Sequence, residues 1–356
     1  MTKDFLVSRA DLRDTQLVES DSLSAEPGEA VLRVERFALT ANNITYGVAG
    51  DLIGYWQFFP APEGWGRIPV WGTATVTSSV TDHINEGDRF YGYFPMSNEL
   101  KVAPDKVSPR GFVDSVAHRS ALPPAYNQYS RLSADNGFMP GFDNHQILYR
   151  PLFMTSFLLD DYFRDNNLFG AEQIILGSAS SKTAFGMAFM LKQSPQVKVI
   201  GLTSPGNVGF VEELGLYDEI LTYDQVESVS QVPSAYVDMA GNRDVLSRLH
   251  HHLQDNMVNS CGVGVTHWEA REGEAPDTLP GAKPGMFFAP SQIIKRNKEV
   301  GPVVFQAKIA EATQAFYNQV DSWVNIEENS FSDVQQVYNT VLNGPAPDKG
   351  YVLTLD

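Results

Sequence analysis

The sequence has a single cysteine, Cys261, in 356 residues. An intrachain disulfide is therefore excluded, and so is any thiolate-rich metal site. Positive charge is also scarce: 26 Lys and Arg stand against 43 Asp and Glu, for a formal net charge of -17. Nucleic acid and anionic membrane both demand basic surface, so neither is expected as a partner, although one local basic pocket is compatible with the balance. No apolar run approaches the roughly 20 residues needed to span a bilayer. The first residues, MTKDFLVSRADLRD, contain no apolar signal core. The expectation is a reduced, cytoplasmic protein.

What is present suits a globular chain, with 43% hydrophobic and 19% charged residues. The length exceeds one ordinary core and accommodates two domains. Residues 29–110 read as β-rich: GEAVLRVERFALT alternates apolar and polar residues as a half-buried strand does, and IPVWGTATVTSSV and DRFYGYFP are further strands. A small barrel-like β domain is the simplest reading. Residues 111–150 read as a long irregular segment. Its aromatics Phe112, Tyr126, Tyr129, Phe138 and Phe142 argue for a loop packed over something rather than a disordered one.

From residue 151 the pattern changes. PLFMTSFLLDDYFRD reads as a helix, then EQIILG, VKVIGLTS, EILTY, SAYVDMAG and NMVNSCGVG read as strands alternating with helices. That alternation implies a parallel sheet built from βαβ units. SQIIKRNKEVGPVVFQAKIAEATQAFYNQV reads as helical, and a mixed strand–helix–strand tail follows. The organisation expected is 1–150, 151–300 and a tail from 301 to 356.

The chemistry concentrates at ILGSASSKTAFGMAFML, residues 175–191. The first strand-to-helix turn of a doubly wound sheet can hold a pyrophosphate against the helix N-terminus. The frame here is Gly177-x-x-Ser180-x-x-Thr183, with one of three glycines kept. Ser181 and Leu176 occupy the positions where a Walker A loop demands glycine. Lys182 opposes the helix dipole by about 0.3–1 kcal/mol, which an anion nearby would offset. The segment is either a phosphate loop with Ser, Lys and Thr contacts or a Ser-capped helix after a buried strand. The second strand ends Thr203-Ser204-Pro205-Gly206-Asn207, without the acid that holds ribose hydroxyls in NAD sites. That composition leaves room for a 2′-phosphate and favours NADP(H).

Several segments, in order, resemble the medium-chain dehydrogenase/reductase superfamily, most closely its zinc-independent quinone-oxidoreductase-like branch. They are GEAVLRVERFALTANNITY, WGTATVTSSVTDHINEGDRFYGYFP, VEELGLYDEILTYD, SAYVDMAGNRDVLSRLHHHLQDNMVNSCGVG and DVQQVYNTVLNGPAPDKGYVLTLD. The sequence also looks like a branch of that superfamily grouped as a domain of unknown function. The resemblance covers nearly the whole chain. It implies an α/β architecture with an N-terminal GroES-like β-barrel domain and a Rossmann-type doubly wound parallel sheet, the tail returning to the first domain. It implies an NADPH-dependent reductase acting on an apolar carbonyl, quinone or α,β-unsaturated substrate in an interdomain cleft, and a homodimer as an assembly common in the superfamily. The alternative is a non-catalytic descendant that binds a nucleotide or small ligand. By the same resemblance Asn42 or Asn43 and Tyr46 lie in a loop facing the nicotinamide, to orient or protonate substrate. Gly177, Ser180, Ser181, Lys182, Thr183, Thr203, Ser204, Asn207, Cys261 and Gly262 line the cofactor. Tyr126, Phe287 and Phe288 line the substrate pocket.

The zinc pattern of the superfamily is missing. Cys261 falls in a strand, and His83, His118, His145 and His267 have no paired spacing. The run His250-His251-His252 lies in a helical pattern and reads as a solvated face. The aromatics from Tyr55 to Trp71 (Tyr55, Trp56, Phe58, Phe59, Trp65, Trp71) either cover an apolar substrate or form a dimer surface.

Overall fold

The computed structural model describes residues 1–48, 50–51, 54–193, 195–263 and 279–355. His267 lies outside them. Two compact units make up the chain: Met1–Leu148 together with Val324–Asp356, and Tyr149–Trp323. The chain thus returns to the first unit at Val324 rather than at residue 301.

In the first unit, β1 (Thr2–Ser8), β2 (Thr15–Ser20) and β4 (Trp65–Gly66) form a three-stranded antiparallel sheet. A nine-stranded sheet holds β3 (Ala30–Leu39), β5 (Pro69–Ser79), β6 (Arg89–Pro95), β7 (Glu99–Val102), β8 (Pro104–Ser108), β9 (Gly111–Asp114) and β10 (Gln128–Arg131). Its other two strands are β17 (Asn325–Ser330) and β18 (Lys349–Thr354). The order is β17-β18-β3-β5-β6-β10-β9-β8, with β7 also on β3. Among the described residues no pairing joins β8 to β17, so the structure shows a mixed α/β fold without a closed barrel. β3 is buried more fully than its alternating pattern suggests, because it is flanked by β18, β5 and β7.

The segment from residue 111 is more ordered than expected. Gly111–Asp114 and Gln128–Arg131 pair antiparallel, which stacks Phe112 on Tyr129 with ring centroids 4.9 Å apart. Between these strands Arg119 is fully buried. It pairs with Asp114 at 3.1 Å, donates through Nε to the Phe58 carbonyl and lies over the Phe59 ring. The helix expected from residue 151 begins at Asp143: α2 (Asp143–Asp165) accommodates Pro151 within it. The ANNITY segment, expected as a loop, is the short helix α1 (Ala41–Val48).

The second unit carries a six-stranded, wholly parallel sheet: β11 (Gln173–Leu176), β12 (Lys198–Thr203), β13 (Glu219–Thr222), β14 (Ser234–Asp238), β15 (Met257–Gly262) and β16 (Gly285–Met286). The order is β13-β12-β11-β14-β15-β16. β11 and β14 are buried throughout, as apolar runs covered on both faces should be. The crossovers carry α3 (Lys182–Gln193), α4 (Val208–Leu214) and α5 (Arg243–Leu253). Strand order reverses at β11, between β12 and β14, and such a switch point opens a crevice at the carboxyl ends of the strands. The long helical stretch near the end of the unit is two helices, α6 (Ala289–Val300) and α7 (Pro302–Val320). Gly301, at φ 85°, breaks them apart, and Pro302 starts the second. The last helix, α8 (Val334–Leu342), belongs to the first unit.

Candidate active site

At the switch point the serine-rich loop is held largely by its own neighbours. The Gly177 N–H donates to the Val237 carbonyl, and the Ala179 N–H to that of Leu202. These bonds stitch the loop to the ends of β14 and β12. Gly177 is required by a close approach: a Cβ there would come within 2.8 Å of the Tyr236 hydroxyl. Ser178 adopts φ 54°, a conformation that a non-glycine residue enters at a cost. Ser181 closes the turn, its N–H donating to the Ser178 carbonyl and its hydroxyl accepting from the Ala184 N–H. The capped-helix reading therefore describes Ser181, while leaving Ser180 outside the cap.

Ser180 is instead met from the second strand end. Asn207 Nδ2 donates to Ser180 Oγ at 3.0 Å, joining two residues that sequence reasoning had placed on one ligand. Beside them Thr203 is buried, and its Oγ1 has no hydrogen-bond partner among the described residues. Ser204, Lys182 and Thr183 are half-buried. The Thr183 carbonyl accepts from Ser156 Oγ at 2.8 Å, which fixes the first turn of α3. An unsatisfied buried hydroxyl at Thr203 and the N-terminus of α3 together suit a phosphate-bearing ligand.

Cys261 and Gly262 end β15 on the far side of the switch point. The Cys261 thiol is buried beside Tyr162, and burial pushes it up to about 12, so it stays protonated. Any contact of this pair with a cofactor falls to the backbone. Phe287 packs on Tyr162 with centroids 5.5 Å apart, whereas Phe288 is 66% exposed. The two adjacent aromatics thus differ in their surroundings, one packed and one exposed.

The histidine run also differs from a solvated face. His251 is exposed, but His250 is fully buried. Its Nδ1 lies 2.8 Å from the Pro280 carbonyl and its Nε2 2.9 Å from Ser260 Oγ. A carbonyl can only accept, so Nδ1 carries the proton and Nε2 accepts from the serine. Burial lowers the His250 pKa below its ordinary value of 6.5. With the folded value depressed, its contribution to stability is complete above the unfolded pKa and is lost as pH falls toward the folded one. Melting temperature should therefore drop as pH falls below the ordinary value of 6.5, and His250→Asn should flatten that dependence. Parallel pH profiles for the two proteins would cast His250 as a bystander.

In the first unit, the residues expected around a substrate divide into two kinds. Asn43 is structural: its Oδ1 accepts from the Thr40 N–H and hydroxyl, and its Nδ2 donates to the Pro69 carbonyl. This is the back-reaching half of a capping box, with Asn at the third helical position. One residue earlier, Asn42 is exposed and donates through Nδ2 to the Tyr46 hydroxyl at 2.8 Å. The i, i+4 spacing on α1 is the signal that could have paired them.

Around Tyr46 lies a dense aromatic group. Its ring is 4.4 Å from that of Tyr55 and 5.9 Å from that of Tyr93. Tyr126 lies 4.7 Å from Tyr93, and its hydroxyl is 3.4 Å from that of Tyr55. Trp71 stacks on Tyr91 and approaches Tyr93 at 5.0 Å. Burial raises the Tyr46 phenol well above its ordinary range, with Tyr126 adding to the shift and Trp71 and Asn42 opposing it. Trp71 Nε1 and the Tyr93 hydroxyl are buried without a partner in hydrogen-bond geometry, although both sit near enough to bear on the phenols beside them. Of the aromatics between Tyr55 and Trp71, Trp56, Phe58 and Phe59 belong to the buried core.

The first unit thus carries a nine-stranded mixed sheet, and the second a six-stranded parallel sheet with a phosphate-type loop at its switch point. Several solved structures share this fold across their full length. CurA from Vibrio vulnificus in complex with NADPH aligns over 99% of both chains, at 13% identity and a TM-score of 0.66. The yhdH oxidoreductase from Salmonella enterica in complex with NADP aligns over 100% of both, at 13% identity and 0.52. A mutant form of enoyl thioester reductase from Candida tropicalis aligns over 99% of both, at 13% identity and 0.55. No curated protein matches by sequence. Residues 37–347 match the family described as protein of unknown function (DUF2855), and the chain belongs to that family. No helix among the described residues is long and apolar enough to cross a membrane.

Proposed function

We propose that this protein is an NADPH-dependent oxidoreductase that reduces an apolar carbonyl, quinone or α,β-unsaturated compound. The observation that carries the reading is the Asn207–Ser180 contact beside the unsatisfied Thr203 hydroxyl, at a second strand end without an acidic side chain. An Asp or Glu there would repel a 2′-phosphate, whereas hydroxyl and amide groups can donate to it. The full-length likeness to structures holding NADPH and NADP supports the same cofactor.

When bound, NADPH supplies a hydride; the chain's own residues bind it and manage the proton. Ser180, Thr183, Thr203, Ser204 and Asn207 hold the phosphates, with Lys182 adding charge. Tyr46 supplies the proton. Its oxygen already accepts from Asn42, which leaves its O–H to donate to a substrate oxygen. A phenol raised by burial remains protonated at neutral pH and yields its proton only to a strongly basic oxygen, such as an enolate or alkoxide as charge develops.

Calorimetric titration with NADP+ and NAD+ tests the reading. NADP+ is expected to bind at least about tenfold more tightly, a difference of about 1.4 kcal/mol. Failure of both to bind at millimolar concentration would sink the proposal. Binding without turnover of quinones, enones or aldehydes would leave a non-catalytic cofactor-binding protein.

A further inference from the structure

The loop at the switch point is shaped by a side chain that sequence reasoning assigned no role. Ala179 is pinned on both sides: its N–H donates to the Leu202 carbonyl at 2.8 Å, and its own carbonyl accepts from the Tyr217 hydroxyl at 2.8 Å. Gly201 makes this approach possible. A Cβ at that position would lie 2.9 Å from both the Ala179 Cβ and the Tyr217 ring. Burial raises the Tyr217 phenol well above its ordinary range, so the hydroxyl remains a donor.

The consequence follows from peptide geometry. The bond between Ala179 and Ser180 is trans, so its C=O and N–H point in opposite directions. With the carbonyl drawn toward Tyr217, the Ser180 N–H is turned the other way, and among the described residues it donates to nothing. Asn207, on the same residue, engages only the side-chain oxygen. The loop thus presents an outward N–H at a position where a glycine-rich loop relies on backbone freedom.

Resting on the NADPH-dependent reading above, we propose that Tyr217 is a positioning residue whose hydroxyl, by holding the Ala179 carbonyl, aims the Ser180 N–H at the cofactor's pyrophosphate. Serine can replace glycine here because the neighbouring strand end fixes the peptide that glycine's flexibility would otherwise have to adjust. Tyr217 itself touches no ligand in this arrangement.

Tyr217→Phe keeps the ring and removes only the hydroxyl. Calorimetry on the full chain would compare NADP+, which carries the pyrophosphate, with 2′-AMP, which has the 2′-phosphate but no pyrophosphate. The variant is expected to bind NADP+ roughly tenfold more weakly, as loss of a well-placed hydrogen bond predicts, and 2′-AMP with unchanged affinity. Equal weakening of both would mean that Tyr217 merely supports the fold, and unchanged NADP+ affinity would show that the peptide needs no help; either overturns the proposal. If the unmodified protein binds NADP+ not at all, the cofactor reading falls and this inference with it. Normal binding by the unmodified protein with an indifferent variant removes this inference alone. Gly201→Ala provides a second variant, expected to push Tyr217 from Ala179 and reproduce the selective loss of NADP+ affinity.

Discussion

Arg119→Ala is expected to lower the unfolding free energy by about 3–5 kcal/mol, among the largest effects of any single replacement in the chain. The guanidinium is fully buried with Asp114, so removing it strands a carboxylate in a poorly polarisable interior. Burial already pushes the Asp114 carboxyl above its ordinary pKa, against the pull of Arg119. The replacement also takes one donor from the Phe58 carbonyl and empties the space over the Phe59 ring. Urea-induced unfolding followed by tryptophan fluorescence would measure the loss. A deficit under about 1 kcal/mol would show that the pair is solvated or dispensable. Replacing both partners together, Asp114→Leu with Arg119→Met, should recover much of the stability, because it leaves no orphaned charge.

Tyr46→Phe is expected to reduce kcat by about 10²- to 10⁴-fold, the usual contribution of a positioned proton donor, while KM for NADPH stays constant. The ring remains to pack against Tyr55 and Tyr93, so folding should be little affected. Initial rates of NADPH oxidation with a quinone and an enone would check this. Retained kcat with both would remove Tyr46 from the chemistry. Asn43→Ala supplies the contrast: it should cost about 1 kcal/mol of stability through loss of the helix cap, with no specific effect on kcat.

The parallel sheet was legible because its central strands β11 and β14 are buried throughout and its strands read as short apolar runs such as QIIL alternating with helices. The beginning of α2 was not, since DNHQ is polar and Pro151 looks like a boundary until packing overrides it. The hairpin of β1 and β2 also went unread: half of β2 is exposed, none of it is buried, and it carries little periodic signal. Within the site, the link between Ser180 and Asn207 could be anticipated, because both ends of a switch point follow from element order. The role of Tyr217 could not. Its partner, Ala179, is selected by the close packing that Gly201 permits, and neither residue advertises that contact in sequence. Asn42 and Asn43 were inseparable as loop residues; a helix distinguishes them by turning one toward Tyr46 and the other into its own cap.

Strand β18 hydrogen-bonds between β17 and β3, pairing Tyr351 with Leu39 across the whole of the intervening chain. That topology imposes an order on biosynthesis. The second unit is continuous in sequence and can complete its contacts while ribosomal synthesis is still under way. The first cannot, because β3, paired with β5 along one edge, keeps its other edge open at Arg36–Leu39 until residues 349–354 have been made. Closing so distant a pairing is slow, and an open strand edge at Phe37 is a template for association with other nascent chains. Yield in the cell should therefore respond to translation speed and chaperone supply more than the stability of the finished protein would suggest.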